Sequence, residues 1–171
     1  MILIVMGVTA SGKTTVGKTL ACMEGWQYAE GDDYHSSANK AKMHAGVPLT
    51  DEDRAPWLAS LHEVLLGWHS SGINGVLTCS ALKQVYRNQL SQGIPSAELR
   101  FILLQVPKSV LVARLAARKG HYMNPGLLDS QLATLEMPQD AIRVDGTQPA
   151  EAIVAQIISL LGAPASAESH P

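Results

Sequence analysis

The sequence of 171 residues is short of cysteine, of long apolar runs and of surplus positive charge, and each shortage closes off a class of function. Its 13 Lys and Arg stand against 15 Asp and Glu, for a net charge of −2 with neutral histidines. Those cations are scattered, whereas nucleic-acid binding needs them gathered on one face. A small-molecule ligand is therefore expected. The two cysteines, Cys22 and Cys79, lack Cys-x-x-Cys spacing and have no His or Cys partner close in sequence. Buried free thiols are expected in place of a disulfide or a metal site. No apolar stretch approaches the ~20 residues that span a bilayer. A core strand expected from residue 2 leaves no room for a cleavable leader, so a cytoplasmic location is expected. The length suits one domain around a single core.

What is present begins at once. The apolar run Met1-Ile2-Leu3-Ile4-Val5-Met6 leads into Gly7-Val8-Thr9-Ala10-Ser11-Gly12-Lys13-Thr14-Thr15, a G-x-x-x-x-G-K-T loop. Glycines at its two ends let the backbone curl so that successive N–H groups converge on phosphate oxygens. Lys13 adds a mobile positive charge. The hydroxyl of Thr14 is placed to ligate a magnesium ion bridging the outer phosphates of a nucleotide, and a helix starting near Lys13 aims its positive dipole end at the same anion. Val16, Leu20 and Met23 follow at helical spacing, as an apolar stripe.

Apolar segments alternate with helical patterns along the chain, which predicts a three-layer α/β architecture with a five-stranded parallel sheet. Strands are expected at about 2–6, 26–29, 75–79, 99–104 and 141–144. Helices are expected at about 13–24, 37–45, 51–70, 81–92, 107–118, 128–135 and 149–162. Thr50-Asp51-Glu52-Asp53 resembles a capping box, and Leu58, Leu61, Leu65 and Trp68 mark a buried stripe on the helix it opens. Residues 1–162 form the expected domain, and 163–171, without periodicity, a mobile tail.

Phosphoryl transfer to an alcohol needs a magnesium-linked phosphate, a group that orients or deprotonates the hydroxyl, and positive charge around the moving phosphoryl. Glu30-Gly31-Asp32-Asp33-Tyr34-His35 falls at the carboxyl edge of the sheet, where open α/β folds bind ligands. Asp32 is the candidate for accepting the hydroxyl proton and Glu30 for holding a magnesium-bound water. His35 suits a substrate contact and a structural hydrogen bond equally. Arg54, early in a helix where the dipole favours acids, and Lys83 with Arg87, four apart, have the guanidinium and ammonium chemistry to hold a substrate carboxylate. A solvated basic face is the alternative. The segment from Arg114 through Arg118 to Gly126 reads as a lid at about 119–128 that excludes water. Arg118 is the candidate for contacting the transition state, and Arg114, one turn earlier, for stacking on adenine.

These clusters in this order resemble the gluconokinase family of P-loop small-molecule kinases. The likeness rests on Gly7 to Thr15, Gly31-Asp32-x-x-His35, Gly46-x-Pro48-Leu49-x-Asp51-x-Asp53-Arg54-x-Pro56-Trp57, Cys79-Ser80-Ala81-Leu82-Lys83-x-x-Tyr86-Arg87, Arg114-Leu115-x-x-Arg118-Lys119-Gly120-His121 and Gln131-x-x-Thr134-Leu135-Glu136-x-Pro138. It implies a P-loop kinase fold, and a homodimer that uses ATP and Mg2+ to convert D-gluconate to 6-phosphogluconate. By the same likeness, Asp32 would activate the acceptor hydroxyl and Arg54, Lys83 and Arg87 would recognise the sugar acid. Asp145, Gln148 and Pro149 would lie beside the adenine. Two departures stand out: Glu30 replaces a usual Asp, and Ser36 replaces a proline that pre-sets the next helix. A shikimate-kinase-like enzyme and a non-catalytic nucleotide-binding module are the alternatives.

Overall fold

Five strands, β1 (Ile2–Met6), β2 (Gln27–Glu30), β3 (Gly75–Thr78), β4 (Leu99–Gln105) and β5 (Ile142–Asp145), pair in parallel in the order β2-β3-β1-β4-β5. The structure is a computed structural model and describes residues 1–117 and 125–162. Every residue of the central strand β1 is buried, as expected of a parallel strand covered on both faces. Its side chains alternate between two cores. Ile2, Ile4 and Met6 pack with Leu58, Leu61, Leu65 and Leu90 on one side, while Leu3 and Val5 pack with Val16, Leu20, Ile153 and Ile157 on the other. The edge strands β2 and β5 carry the polar residues Gln27, Glu30, Arg143 and Asp145, in keeping with their half-wet position.

Seven α-helices connect and flank the strands: α1 (Lys13–Glu24), α2 (Ser37–His44), α3 (Asp51–Ser70), α4 (Gln84–Ser91), α5 (Lys108–Ala117), α6 (Pro125–Thr134) and α7 (Ala150–Gly162). Helix α3 begins with the expected capping box: the Asp53 N–H donates to Thr50 Oγ1 at 3.2 Å and the Thr50 N–H to Asp53 Oδ2 at 3.0 Å. Where proline is usual before α2, Ser36 caps the helix instead, its hydroxyl oxygen accepting the Asn39 N–H at 3.1 Å. No helix among the described residues is long and apolar enough to cross a membrane.

Four expectations need correction. Helix α4 starts at Gln84 and not near residue 81, because Ala81 takes a left-handed φ of 43° and Lys83 is extended. Cys22 is exposed, so only Cys79 is a buried thiol. Met23 is likewise exposed, and the inner stripe of α1 is Val16, Gly17, Leu20 and Ala21. Helix α6 starts at Pro125 and not near residue 128, as a first-turn proline allows. Residues 119–124 of the segment read as a lid, and the tail 163–171, lie outside the described residues.

Gly31 opens the 3-10 turn Gly31–Tyr34 that carries Asp32 away from β2. A Cβ at Gly31 would lie well inside van der Waals contact with the backbone carbonyl oxygen of Thr78. Backbone cannot yield as a side chain does, so Gly31→Ala is expected to cost about 1–3 kcal/mol of stability. Chemical denaturation measures this, and an unchanged midpoint would show that the turn is free to move.

Candidate active site

The loop after β1 curls through three left-handed residues, Gly7 (φ 146°), Ala10 (φ 60°) and Gly12 (φ 101°). It is close-packed: a Cβ on Gly7 would lie 2.9 Å from Ser11 Oγ and 3.2 Å from the Leu104 carbonyl oxygen. Lys13 begins α1 and donates from Nζ to the Val8 carbonyl at 2.9 Å, spanning the loop whose N–H groups form the cradle. The Ser11 hydroxyl, 1% exposed, has no hydrogen-bond partner. Thr14 and Thr15 stand exposed on the first turn of α1.

Beside this loop opens a cavity of about 350 Å³, lined by Ser11, Gly12, Thr15, Arg114, Gln148 and Ile153 among others. Arg114 lines this cavity, and its N–H groups are taken up by backbone carbonyls. Its Nη1 donates to the carbonyls of Ala10 and Ser11 at 3.3 and 3.2 Å, and its Nη2 to that of Gly146 at 2.9 Å. It thus clamps the phosphate loop to the turn after β5. Asp145 shapes that turn, accepting from the Thr147 N–H at 2.9 Å, the Thr147 hydroxyl at 2.7 Å and Gln148 Nε2 at 3.2 Å. These bonds hold its carboxyl below the usual carboxylate range. Pro149 precedes α7 and accepts the Ile153 N–H, so it shapes the cavity rim without lining it.

The acidic turn emerges from β2, two places from β1 with β3 between. Asp32 is exposed there. Glu30 accepts from the hydroxyls of Thr78 and Tyr28, at 2.5 and 2.7 Å. Burial, opposed in part by Thr78, pushes the Tyr28 phenol far up. Cys79, at the end of β3, lies within the field of both half-sites. Burial pushes its thiol up to about 12, the charges of Asp32 and Glu30 add to that, and the charge of Lys13 opposes them.

His35 stacks on Trp57, ring centroids 4.2 Å apart at 14°, and its buried Nδ1 has no hydrogen-bond partner. Trp57 is itself fixed by donation from Nε1 to the Gly31 carbonyl at 2.7 Å. Arg54, Lys83 and Tyr86 converge on Asp51, which sequence reasoning quoted in a motif without giving it a role. Lys83 Nζ donates to its two oxygens at 2.9 and 2.8 Å, the Tyr86 hydroxyl donates to Oδ1, and Arg54 Nη1 lies 3.7 Å away. Lys83 and then Tyr86 hold the Asp51 carboxyl below its usual range, and the same bond raises Lys83. A carboxylate in reach of one ammonium and one guanidinium marks the kind of anion they accept.

Arg87 departs from its expected place. It is 1% exposed, and all five of its N–H groups are used. Nε and Nη2 donate to Gln84 Oε1, Nη1 to the carbonyls of Ala81 and Leu82, and Nη2 also to that of Glu136. No donor remains for a substrate carboxylate. Its work is to hold the Ala81–Lys83 loop. Arg118 lies outside the described residues.

Comparison with known proteins agrees with this geometry. Residues 2–138 match the protein family described as an AAA domain. A gluconokinase from Gluconobacter oxydans is 46% identical over 91% of this chain and 88% of its own. The crystal structure of a gluconokinase from Sinorhizobium meliloti superposes with a TM-score of 0.83 at 42% identity, over 93% of this chain and 90% of that one. A sugar kinase from Janibacter gives 0.86 at 42% identity, over 99% and 98%.

Burial disfavours the charged form of His35 and lowers its pKa from the usual 6.5; Arg54 and Lys40 act the same way, and Asp32 opposes them. The unfolded chain therefore binds more protons than the folded one just below 6.5, and stability is lost as the pH falls through the folded value. Between pH 6.5 and about 5, the melting temperature of the wild type is expected to fall more steeply than that of His35→Gln. Parallel curves would show that His35 is solvated.

Proposed function

Because the chain belongs to the gluconokinase family of P-loop kinases, we propose that it transfers the γ-phosphoryl group of ATP to the terminal hydroxyl of D-gluconate, giving 6-phospho-D-gluconate. The observation that carries the reading is that the phosphate loop after β1, the acidic turn after β2 and the Ala81–Lys83 loop after β3 all leave the carboxyl edge of one parallel sheet. A donor cradle and an acidic acceptor group belong to one site, at the carboxyl edge of the sheet. Such a site serves direct transfer without a covalent intermediate on the protein.

The loop N–H groups and Lys13 bind the phosphates, and the cavity beside Arg114 and Gln148 takes the nucleoside. Asp32 orients the acceptor hydroxyl and takes its proton as the new O–P bond forms. Arg54 and Lys83 exchange part of their pairing with Asp51 for the sugar-acid carboxylate, and His35, stacked on Trp57, lies beside the substrate. Arg118 supplies positive charge to the transferring group.

Magnesium fits this donor set. The ion keeps several waters and binds through one or two protein oxygens plus phosphate oxygens; the exposed Thr14 hydroxyl would be a ligand and Glu30 would hold a magnesium-bound water. Among the described residues no three His, Cys, Asp or Glu side chains form a cage, and such an ion requires none. When bound, it offsets charge on the outer phosphates. The enzyme is proposed to act as a cytoplasmic homodimer in carbohydrate metabolism, a reading that the family supports.

ATP consumption against D-gluconate, shikimate, neutral sugars and nucleoside monophosphates tests the reading. Selective turnover of D-gluconate is expected, and ATP binding without turnover of any acceptor would return the chain to a non-catalytic module. Asp32→Ala is expected to lower kcat about 10²–10⁴-fold with ATP affinity nearly intact. Lys13→Ala should damage both, and normal kinetics in either variant would remove that residue from its role.

A further inference from the structure

Helix α6 touches both halves of the site. In its last turn the side-chain carbonyl of Gln131 accepts the Thr9 N–H of the phosphate loop at 2.6 Å. The chain leaving α6 just beyond is bound to the acceptor side: the Glu136 N–H donates to the Leu82 carbonyl at 2.9 Å, the Gln84 N–H to Glu136 Oε2 at 2.6 Å and Arg87 Nη2 to the Glu136 carbonyl at 3.0 Å. The two sets of contacts are linked by a single helical turn, in which the Leu135 N–H donates to the backbone carbonyl of Gln131 at 3.0 Å. Leu128, Leu132 and Leu135 pack in one apolar cluster with Val8 and Ala10 of the phosphate loop and Leu82 of the acceptor loop.

We infer that Gln131 is a positioning residue, which reports occupancy of the phosphate loop to the acceptor loop Ala81–Lys83 through α6 and Glu136. The loop holds left-handed φ values at Gly7, Ala10 and Gly12, and Lys13, Arg114 and Gln131 are the side chains that brace it. A phosphate drawing on the loop N–H groups reorients the Thr9 peptide, and the amide bonded to it is the group that must follow. The motion ends at Gln84 and Lys83, where the acceptor carboxylate is expected. The inference rests on the kinase reading only in taking these loops as two halves of one site.

Amide hydrogen exchange on the full chain, with and without a non-hydrolysable ATP analogue and magnesium, tests it without any acceptor. In the wild type, nucleotide is expected to slow exchange at residues 82–87 by about fivefold or more. Gln131→Met, close in shape but without the acceptor, is expected to bind the analogue and lose that protection. Gln131→Glu keeps an acceptor and is expected to retain it, with weaker nucleotide binding from its charge. Glu136→Ala, which removes the exposed far-end contact, is expected to lose it too and serves if Gln131→Met fails to fold. Equal protection in wild type and Gln131→Met, or in wild type and Glu136→Ala, overturns the inference, as does no protection in the wild type. Intact coupling with no turnover of D-gluconate would overturn the functional reading alone.

Discussion

Strand β1 has water on neither face, and that constraint governs where chemistry happens in this protein. A strand flanked by β3 and β4 and covered by α1 and α7 on one side and α3 and α4 on the other exposes nothing but its end. The chain must leave that end through a loop tight enough to start α1 at once, so the N–H groups of the loop lie outside the hydrogen-bond ladders of strand and helix. A ligand rich in acceptors is the complement of such a loop. The acidic turn after β2 and the Ala81–Lys83 loop after β3 arrive at the same edge for the same topological reason, which is why three segments distant in sequence share a site.

Around that edge, charge is compensated before substrate arrives. Asp51 occupies Lys83 and approaches Arg54, so neither cation is left bare against the protein. In the proposed function a substrate carboxylate would compete with this internal one, which costs binding energy and would give discrimination, since a neutral sugar offers nothing that displaces an aspartate. Arg87 is the contrasting case. It stands four positions after Lys83, but its guanidinium is spent on carbonyls and one amide, which fixes the Ala81–Lys83 loop.

Much of this was legible in the sequence. The order of strands and helices follows from apolar periodicity, and the phosphate loop and capping box from local spacing, because each depends on near neighbours. What stayed hidden depends on distant ones. Lys83 and Arg87 look alike at four-residue spacing, and only the left-handed Ala81, which delays α4 to Gln84, separates an exposed cation from a buried one. Arg114 reads as a nucleotide contact, and its bonds to carbonyls some hundred residues earlier in the chain and to one in the turn after β5 are invisible to local spacing. Gln131 stands in one of the motifs that carry the family likeness, but no role could be given to it until the helix was seen to lie on the phosphate loop. Cys22 was misplaced because an apolar neighbourhood in sequence is not a buried side of a helix.

The unequal fates of the two cysteines have a practical side. Cys79 is sealed in the core with its thiol pushed up to about 12, which keeps it protonated and inert near neutrality, while Cys22 is open to solvent. The two are free of each other and differ in accessibility by the whole depth of the sheet. An alkylating dye would therefore mark one position on the described part of the molecule, near the far end of the helix that begins at Lys13, roughly 13 Å along it by helical rise. The fold comes with a single natural attachment point, rigidly joined to its phosphate-binding element and clear of the reacting groups.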